Sequence, residues 1–244
     1  HHVIFMELPV VFSMSKALTL DPFPFVWDAD AVCRMGVLPK DGAAADMQWF
    51  DIPNCFIFHT MNAYEADDSV IVDAARYDAL WVNGSGDFNH PVYLNRYALN
   101  LKTGAVTVTP VDGQAMEFPQ INRGQWGRNY RYGYGLTIGV NDGQINYDSA
   151  SGYIKFDMHT GATERLDLAH GLSPAEAFFV PSPAGREEDD GYLLGFVYDP
   201  STQSSDLWIM DATTLGTGPI AKVNLPVRVP FGFHGEWVPR ESIQ

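Results

Sequence analysis

The sequence predicts an all-β protein, part of a β-propeller. Three features predict it. Turn signals come too often for helical periodicity to be sustained anywhere along the 244 residues. The aromatic fraction, 13%, suits the pleated, half-buried surface of strands. One strand–turn–strand signature also recurs. Asn100-Leu-Lys-Thr-Gly104 and Asp157-Met-His-Thr-Gly161 share a pattern, and Asp211-Ala-Thr-Thr-Leu215 follows at a similar spacing. A unit repeating at such a period suggests propeller blades of four strands each; a β-sandwich explains the turns but not the repeat.

In chain order, Val3–Phe12 reads as a strand, although Glu7 and Pro9 break its apolar run. Asp21-Pro22-Phe23-Pro24 is a loop, since two prolines remove donors and fix φ. Met35–Pro39 and Met47–Phe50 flank Lys40-Asp41-Gly42, a hairpin signal. The apolar run from Cys55 ends on His59 and turns acidic, and Ser69–Arg76 is the next strand. Tyr93–Leu101 pairs with Ala105–Thr109, and Tyr153–Met158 with Thr163–Leu168, around the two Thr-Gly turns. Asp206–Asp211 leads into the third. Arg186–Gly191 is a charge run, read as a solvated loop ahead of a strand at Tyr192–Tyr198. No linker divides the chain, so 1–244 reads as a single partial propeller domain.

The bulk composition excludes several functions. A formal charge of −15 repels phosphate backbones, which argues against nucleic acid as a partner. Cys33 and Cys55 have no zinc spacing and read as two reduced, buried thiols. No apolar run is long enough for a transmembrane helix. The chain opens His1-His2 without an initiator Met, inside an apolar segment. That start reads as a cut edge, so missing targeting signals carry no information.

His59 and His234 stand apart from the other histidines. His59 closes an apolar run, and His234 lies between glycines and aromatics in Phe231-Gly232-Phe233-His234-Gly235. Taken alone, each is more often a hydrogen-bonded core residue than a metal ligand. Glu117 and Glu176 adjoin apolar residues, where a carboxylate needs a partner. Either suits the role of accepting the second ring N–H of a metal-bound histidine. Phe56, Phe58, Phe231 and Phe233 fit a cavity wall, but packing in the core is the simpler reading. Other templates fail. There is no Gly-x-Ser-x-Gly elbow, and Ile138 stands where a dinucleotide fingerprint starting at Gly133 and Gly135 needs glycine.

At these residues the chain resembles the carotenoid cleavage oxygenases, the carotenoid and lignostilbene dioxygenases. Phe58-His59-Thr-Met-Asn62-Ala63 matches the family's Phe-His-x-x-Asn-Ala segment, and Glu117-Phe-Pro-Gln-Ile-Asn122 its Glu-Phe-Pro-x-Ile-Asn segment. Glu176-Ala-Phe-Phe-Val-Pro181 followed by Glu188-Asp-Asp-Gly191 resembles a third element, with Ala177 where proline is usual. Phe231-Gly-Phe-His-Gly235 matches the closing Gly-x-His-Gly. The four motifs stand in family order over essentially the whole chain.

The resemblance implies a seven-bladed β-propeller with Fe(2+) held on its axis by four histidines. His59 and His234 would be the third and fourth of these, and Glu117 and Glu176 the carboxylates that orient ligand histidines. Neutral imidazoles suit Fe(II) and leave its charge intact. The first two ligands would lie upstream of Val3–Phe12, with the N-terminal blades, and His1 and His2 do not match them. The resemblance therefore implies the C-terminal portion of a non-haem dioxygenase, alone inactive and weak in binding iron. The enzyme would cleave a conjugated C=C bond of an apocarotenoid or stilbene-like molecule with O2, giving two carbonyl products. Such lipophilic substrates allow peripheral membrane contact, although no amphipathic basic helix is visible; the expected location is cytoplasmic. Two alternatives are a propeller glycoside hydrolase working through paired carboxylates and a non-catalytic propeller used as a binding scaffold.

Overall fold

The computed structural model describes residues 1–82, 84, 87–142, 144–145 and 151–242. Its strands, in chain order, are β1 (His2–Glu7), β2 (Val10–Phe12), β3 (Phe25–Trp27), β4 (Arg34–Pro39), β5 (Gln48–Asp51), β6 (Phe56–Ala66), β7 (Ser69–Tyr77), β8 (Val92–Asn100), β9 (Val106–Ile121), β10 (Tyr132–Thr137), β11 (Val140–Asn141), β12 (Gln144–Ile145), β13 (Gly152–Asp157), β14 (Thr163–Asp167), β15 (Ser173–Pro181), β16 (Gly191–Asp199), β17 (Ser204–Asp211) and β18 (Pro219–Asn224). Among the described residues one short α-helix, Met14–Leu18, starts at Ser13, whose hydroxyl accepts the Lys16 amide.

The chain forms two compact units, His1–Gly113 with Val140–Ile145, and Gln114–Gly139 with Asn146–Gln244. In the first, β1, β4 and β5 form one sheet, β2 pairs with β3, and β6, β7, β8 and the start of β9 follow in order. Met35, Val37, Phe50, Ile57, Val72 and Leu99 are among the residues that close its core. In the second unit, the rest of β9 leads through β10 and β13 to β14, and β15, β16, β17 and β18 form a separate sheet. Tyr134, Tyr153, Phe179, Trp208 and Met210 help fill that core. The β15–β18 sheet orders its four strands as the chain does, and β6 to β9 are neighbours in the same order within a seven-stranded sheet, which is the up-and-down pattern of propeller blades.

The repeated signature occupies the same place three times, the turns from β8 to β9, from β13 to β14 and from β17 to β18. In the first copy Asn100 Oδ1 accepts the amides of Lys102 (3.1 Å) and Thr103 (2.8 Å), and the Gly104 amide closes on the Asn100 carbonyl at 2.9 Å. The second copy repeats this. Asp157 Oδ1 accepts His159 and Thr160, and Gly161 closes on the Asp157 carbonyl at 2.8 Å. Gly104 and Gly161 sit at φ 74° and 75°, which is why glycine ends both turns. The third copy has Leu215 there. It runs instead into a 3-10 turn, Leu215–Thr217, that closes at Gly218 with φ 92°.

Several expectations need correction. Val3–Phe12 is not one strand: Pro9 separates β1 from β2, and the two join different sheets. The strand carrying His59 does not end there but runs on to Ala66, because Thr60, Asn62 and Ala63 keep pairing with β7. The strand expected over Ala105–Thr109 extends to Ile121 through two prolines. The charge run is not simply solvated: Asp189 is buried and bonds Lys155 Nζ at 2.6 Å, and Glu188 accepts the Arg131 and Tyr132 amides. Finally, Phe58, Phe231 and Phe233 are exposed rather than packed in a core.

Candidate metal centre

In the first unit, β6 presents His59. Against β7 the register of β6 shifts between Ile57 and Thr60, and again between Thr60 and Asn62. Such bulges bend a strand and re-aim its side chains. His59 is half-buried there. Its ring lies 6.2 Å from Phe58, which also meets Tyr77, Trp81 and Phe88 at centroid distances of 5.6, 6.0 and 6.3 Å. Phe56 packs edge-on against Phe58 at 4.7 Å. An aromatic wall thus flanks the imidazole on one side.

In the second unit, β9 and β15 present the two carboxylates, each again at a bulge. On β9, Gln120 faces Tyr134 and Glu117 faces Leu136, so one residue is extra, and Phe118 takes it up with φ 53°. Glu117 is 3% exposed, and its Oε2 accepts the Phe118 amide at 2.6 Å. On β15 the register shifts between Pro174 and Ala177, around Glu176.

His234 lies in the segment after β18, whose described residues form no strand. Contacts with the blades hold it. Glu176 Oε2 accepts the Gly235 amide at 2.9 Å and faces His234 Nδ1 at 3.4 Å. Where Nδ1 donates to that carboxylate, Nε2 is the nitrogen left for a metal. Glu236 pairs with Arg123 at 2.6 Å. The Phe118 ring meets the imidazole edge-on at 5.8 Å. At Gly235 an added Cβ would lie 3.0 Å from the Phe178 ring, so glycine permits this close approach. A cavity of about 450 Å³ opens here, lined by Gln120, Arg123, Glu176, His234, Gly235 and Glu236.

Of the residues singled out in the sequence, Glu176 and His234 are thus in contact, Glu117 reaches them through its neighbour Phe118, and His59 belongs to the other unit. Gln120 and Arg123 were not singled out. Both extend the Glu-Phe-Pro segment, but their partners are far away in sequence. Among the described residues no three His, Cys, Asp or Glu side chains are grouped to hold one ion. The chemistry of the pair still fits a metal, because a buried carboxylate behind an imidazole fixes its tautomer and direction.

The family described as retinal pigment epithelial membrane protein, RPE65, matches residues 1–239. The chain belongs to the carotenoid cleavage oxygenase family. Carotenoid 9,10(9',10')-cleavage dioxygenase of Crocus sativus is 36% identical, covering 100% of this chain and 48% of that protein. A carotenoid cleavage oxygenase of Mycobacterium tuberculosis is 37% identical, covering 90% of this chain and 45% of its own length. Among solved structures, cobalt-substituted Synechocystis ACO matches with TM-score 0.85 and 27% identity, over 98% of this chain and 51% of that one. Lignostilbene dioxygenase of Pseudomonas brassicacearum matches with TM-score 0.83 and 25% identity, over 98% and 53%. This member of the family therefore matches part of the propeller fold of those structures, and it spans about half the length of the relatives it matches.

Proposed function

We propose that this chain is the C-terminal part of a non-haem Fe(II) dioxygenase that cleaves a conjugated C=C bond of an apocarotenoid or stilbene-like substrate into two carbonyl products. Family membership over the whole chain carries the reading, and relatives named for both substrate classes support keeping both. In this proposal His59 and His234 are metal ligands. Glu176 holds the His234 ring through Nδ1, and Glu117 and Phe118 form the bulge against which that ring rests. Iron, when bound, would supply the activation of dioxygen. The chain's own aromatic residues around Phe58 would exclude water and face the apolar substrate.

The test uses the full-length protein that contains this chain. It should hold one iron, and His59→Ala and His234→Ala should each lose it. Product analysis with an apocarotenoid and with a hydroxystilbene then assigns the substrate class. Tight stoichiometric iron on residues 1–244 alone would refute the assignment of only two ligands to this part. No helix of the described residues is long and apolar enough to cross a membrane. The proposal keeps a cytoplasmic location with peripheral membrane contact, which fractionation and vesicle flotation check.

A further inference from the structure

We propose that Gln120 is a positioning residue for His234 that acts through Glu176; this rests on His234 being a metal ligand. Glu176 is buried, 7% exposed, on a strand whose ladder is interrupted beside it. The terminal torsion of a Glu side chain is broad, so packing alone defines the carboxylate plane poorly. Hydrogen bonds must define it instead. Oε2 takes the Gly235 amide at 2.9 Å, while Oε1 takes Gln120 Nε2 at 2.7 Å, the shortest of the contacts to this carboxylate. His234 Nδ1 lies 3.4 Å from Oε2 and 3.5 Å from Oε1, so its position depends on how the other two donors set the plane.

Gln120 is well placed for this task. Its backbone lies in the β9–β10 ladder opposite Tyr134, so its amide projects from a fixed base. A neutral amide donates to the carboxylate without neutralising it. The full charge is left to hold the imidazole N–H, which an Arg or Lys at position 120 would compete for. The described residues of the segment carrying His234 form no strand, so the Glu176 clasp helps to decide where the ring stands.

The experiment uses the full-length protein, first without metal. In hydrogen exchange, Gln120→Leu should speed exchange of the Gly235 amide by on the order of tenfold, while amides of β13 stay unchanged as an internal reference. Gln120→Asn, which is polar but too short to reach, should act in the same direction. In the iron-loaded protein, Gln120→Leu should speed iron loss to a chelator by a similar factor, on the order of tenfold. Placed on a Glu176→Ala background, which removes the acceptor, it should add nothing further. Unchanged Gly235 exchange overturns the proposal. So does an effect on iron loss that persists in full when Glu176 is replaced. If His234→Ala retains its iron, the ligand assignment fails and takes this inference with it, whatever the exchange shows.

Discussion

Replacing Asp189 with Asn should destabilise the protein by about 3 kcal/mol. Lys155 projects from β13 and is 7% exposed, and its Nζ lies 2.6 Å from Asp189 Oδ2. At that separation and an effective dielectric of about 20 the gross attraction is roughly 6 kcal/mol, most of it offset by desolvating both ions. The substitution removes the attraction but not the desolvation of the ammonium. What remains around Nζ is the Thr213 carbonyl at 3.4 Å and the face of Tyr132 at 4.4 Å. Breaking one side of a buried pair costs about 3–5 kcal/mol, and Asn keeps one acceptor oxygen, which sets the lower end. Replacing both partners, Lys155→Met with Asp189→Leu, should be near neutral, because no buried charge is left over. Urea unfolding followed by tryptophan fluorescence measures both, read as midpoint shifts at unchanged slope. A single-variant loss below about 1 kcal/mol would refute the reasoning. So would a double variant as unstable as the single one.

Asp157 is held well below the usual carboxylate range, first by the hydrogen bonds from Arg131. A depressed acid stabilises the fold at neutral pH and loses that contribution as pH falls through the carboxylate range. Melting temperatures should therefore fall more steeply on acidification in the wild type than in Asp157→Asn, and equal slopes would contradict this. Cys33 and Cys55 are buried with their sulfurs 4.0 Å apart, about twice a disulfide bond length. The hydrogen bond from Cys33 lowers the Cys55 thiol below its ordinary value. Alkylation under denaturing conditions without reductant should nonetheless label both, and mass spectrometry finding neither labelled would contradict the assignment of free thiols. At Gly152 an added Cβ would lie 2.0 Å from the Leu166 carbonyl oxygen, whereas at Gly113 it meets nothing within 4 Å. Gly152→Ala should cost about 3 kcal/mol and Gly113→Ala less than about 0.5 kcal/mol, measured by the same unfolding assay.

What was legible in the sequence was local. The Asx-x-x-Thr-Gly turns were visible because every group that closes them lies within five residues, from Asn100 to Gly104 and from Asp157 to Gly161. Pro22 and Pro24 likewise mark their own loop, whereas the break at Pro9 was hidden inside an apolar run that reads as one strand. The burial of Asp189 was not legible, because its partner Lys155 arrives from another strand, and a charge run looks the same whether or not one member turns inward. Nor was Gln120: its partner lies 56 residues on, and within the Glu117–Asn122 segment it stands at the variable position. The true extent of the His59 strand was hidden for a related reason. An apolar run that becomes polar marks a change of exposure, and β6 goes on pairing with β7 after its outer face becomes polar.

The site residues share a feature that only pairing reveals. His59, Glu117 and Glu176 each sit at a register shift on the first strand of a blade, β6, β9 and β15. A regular strand sends alternate side chains to opposite faces, so a residue in the ladder faces one side or the other and nothing between. One added residue breaks that alternation and turns a side chain along the strand edge, at the cost of a ladder bond. The cost is visible on β9, where Phe118 holds φ 53° and the Glu117 carboxylate takes up its amide at 2.6 Å. The carboxylate thus satisfies the backbone donor that its own displacement exposes. On β15 the displaced Glu176 takes up Gln120 and Gly235 instead, donors from two other segments. The same local defect thus serves both carboxylates: Glu117 takes up the amide of the residue next to it, and Glu176 takes up the Gly235 amide and faces His234.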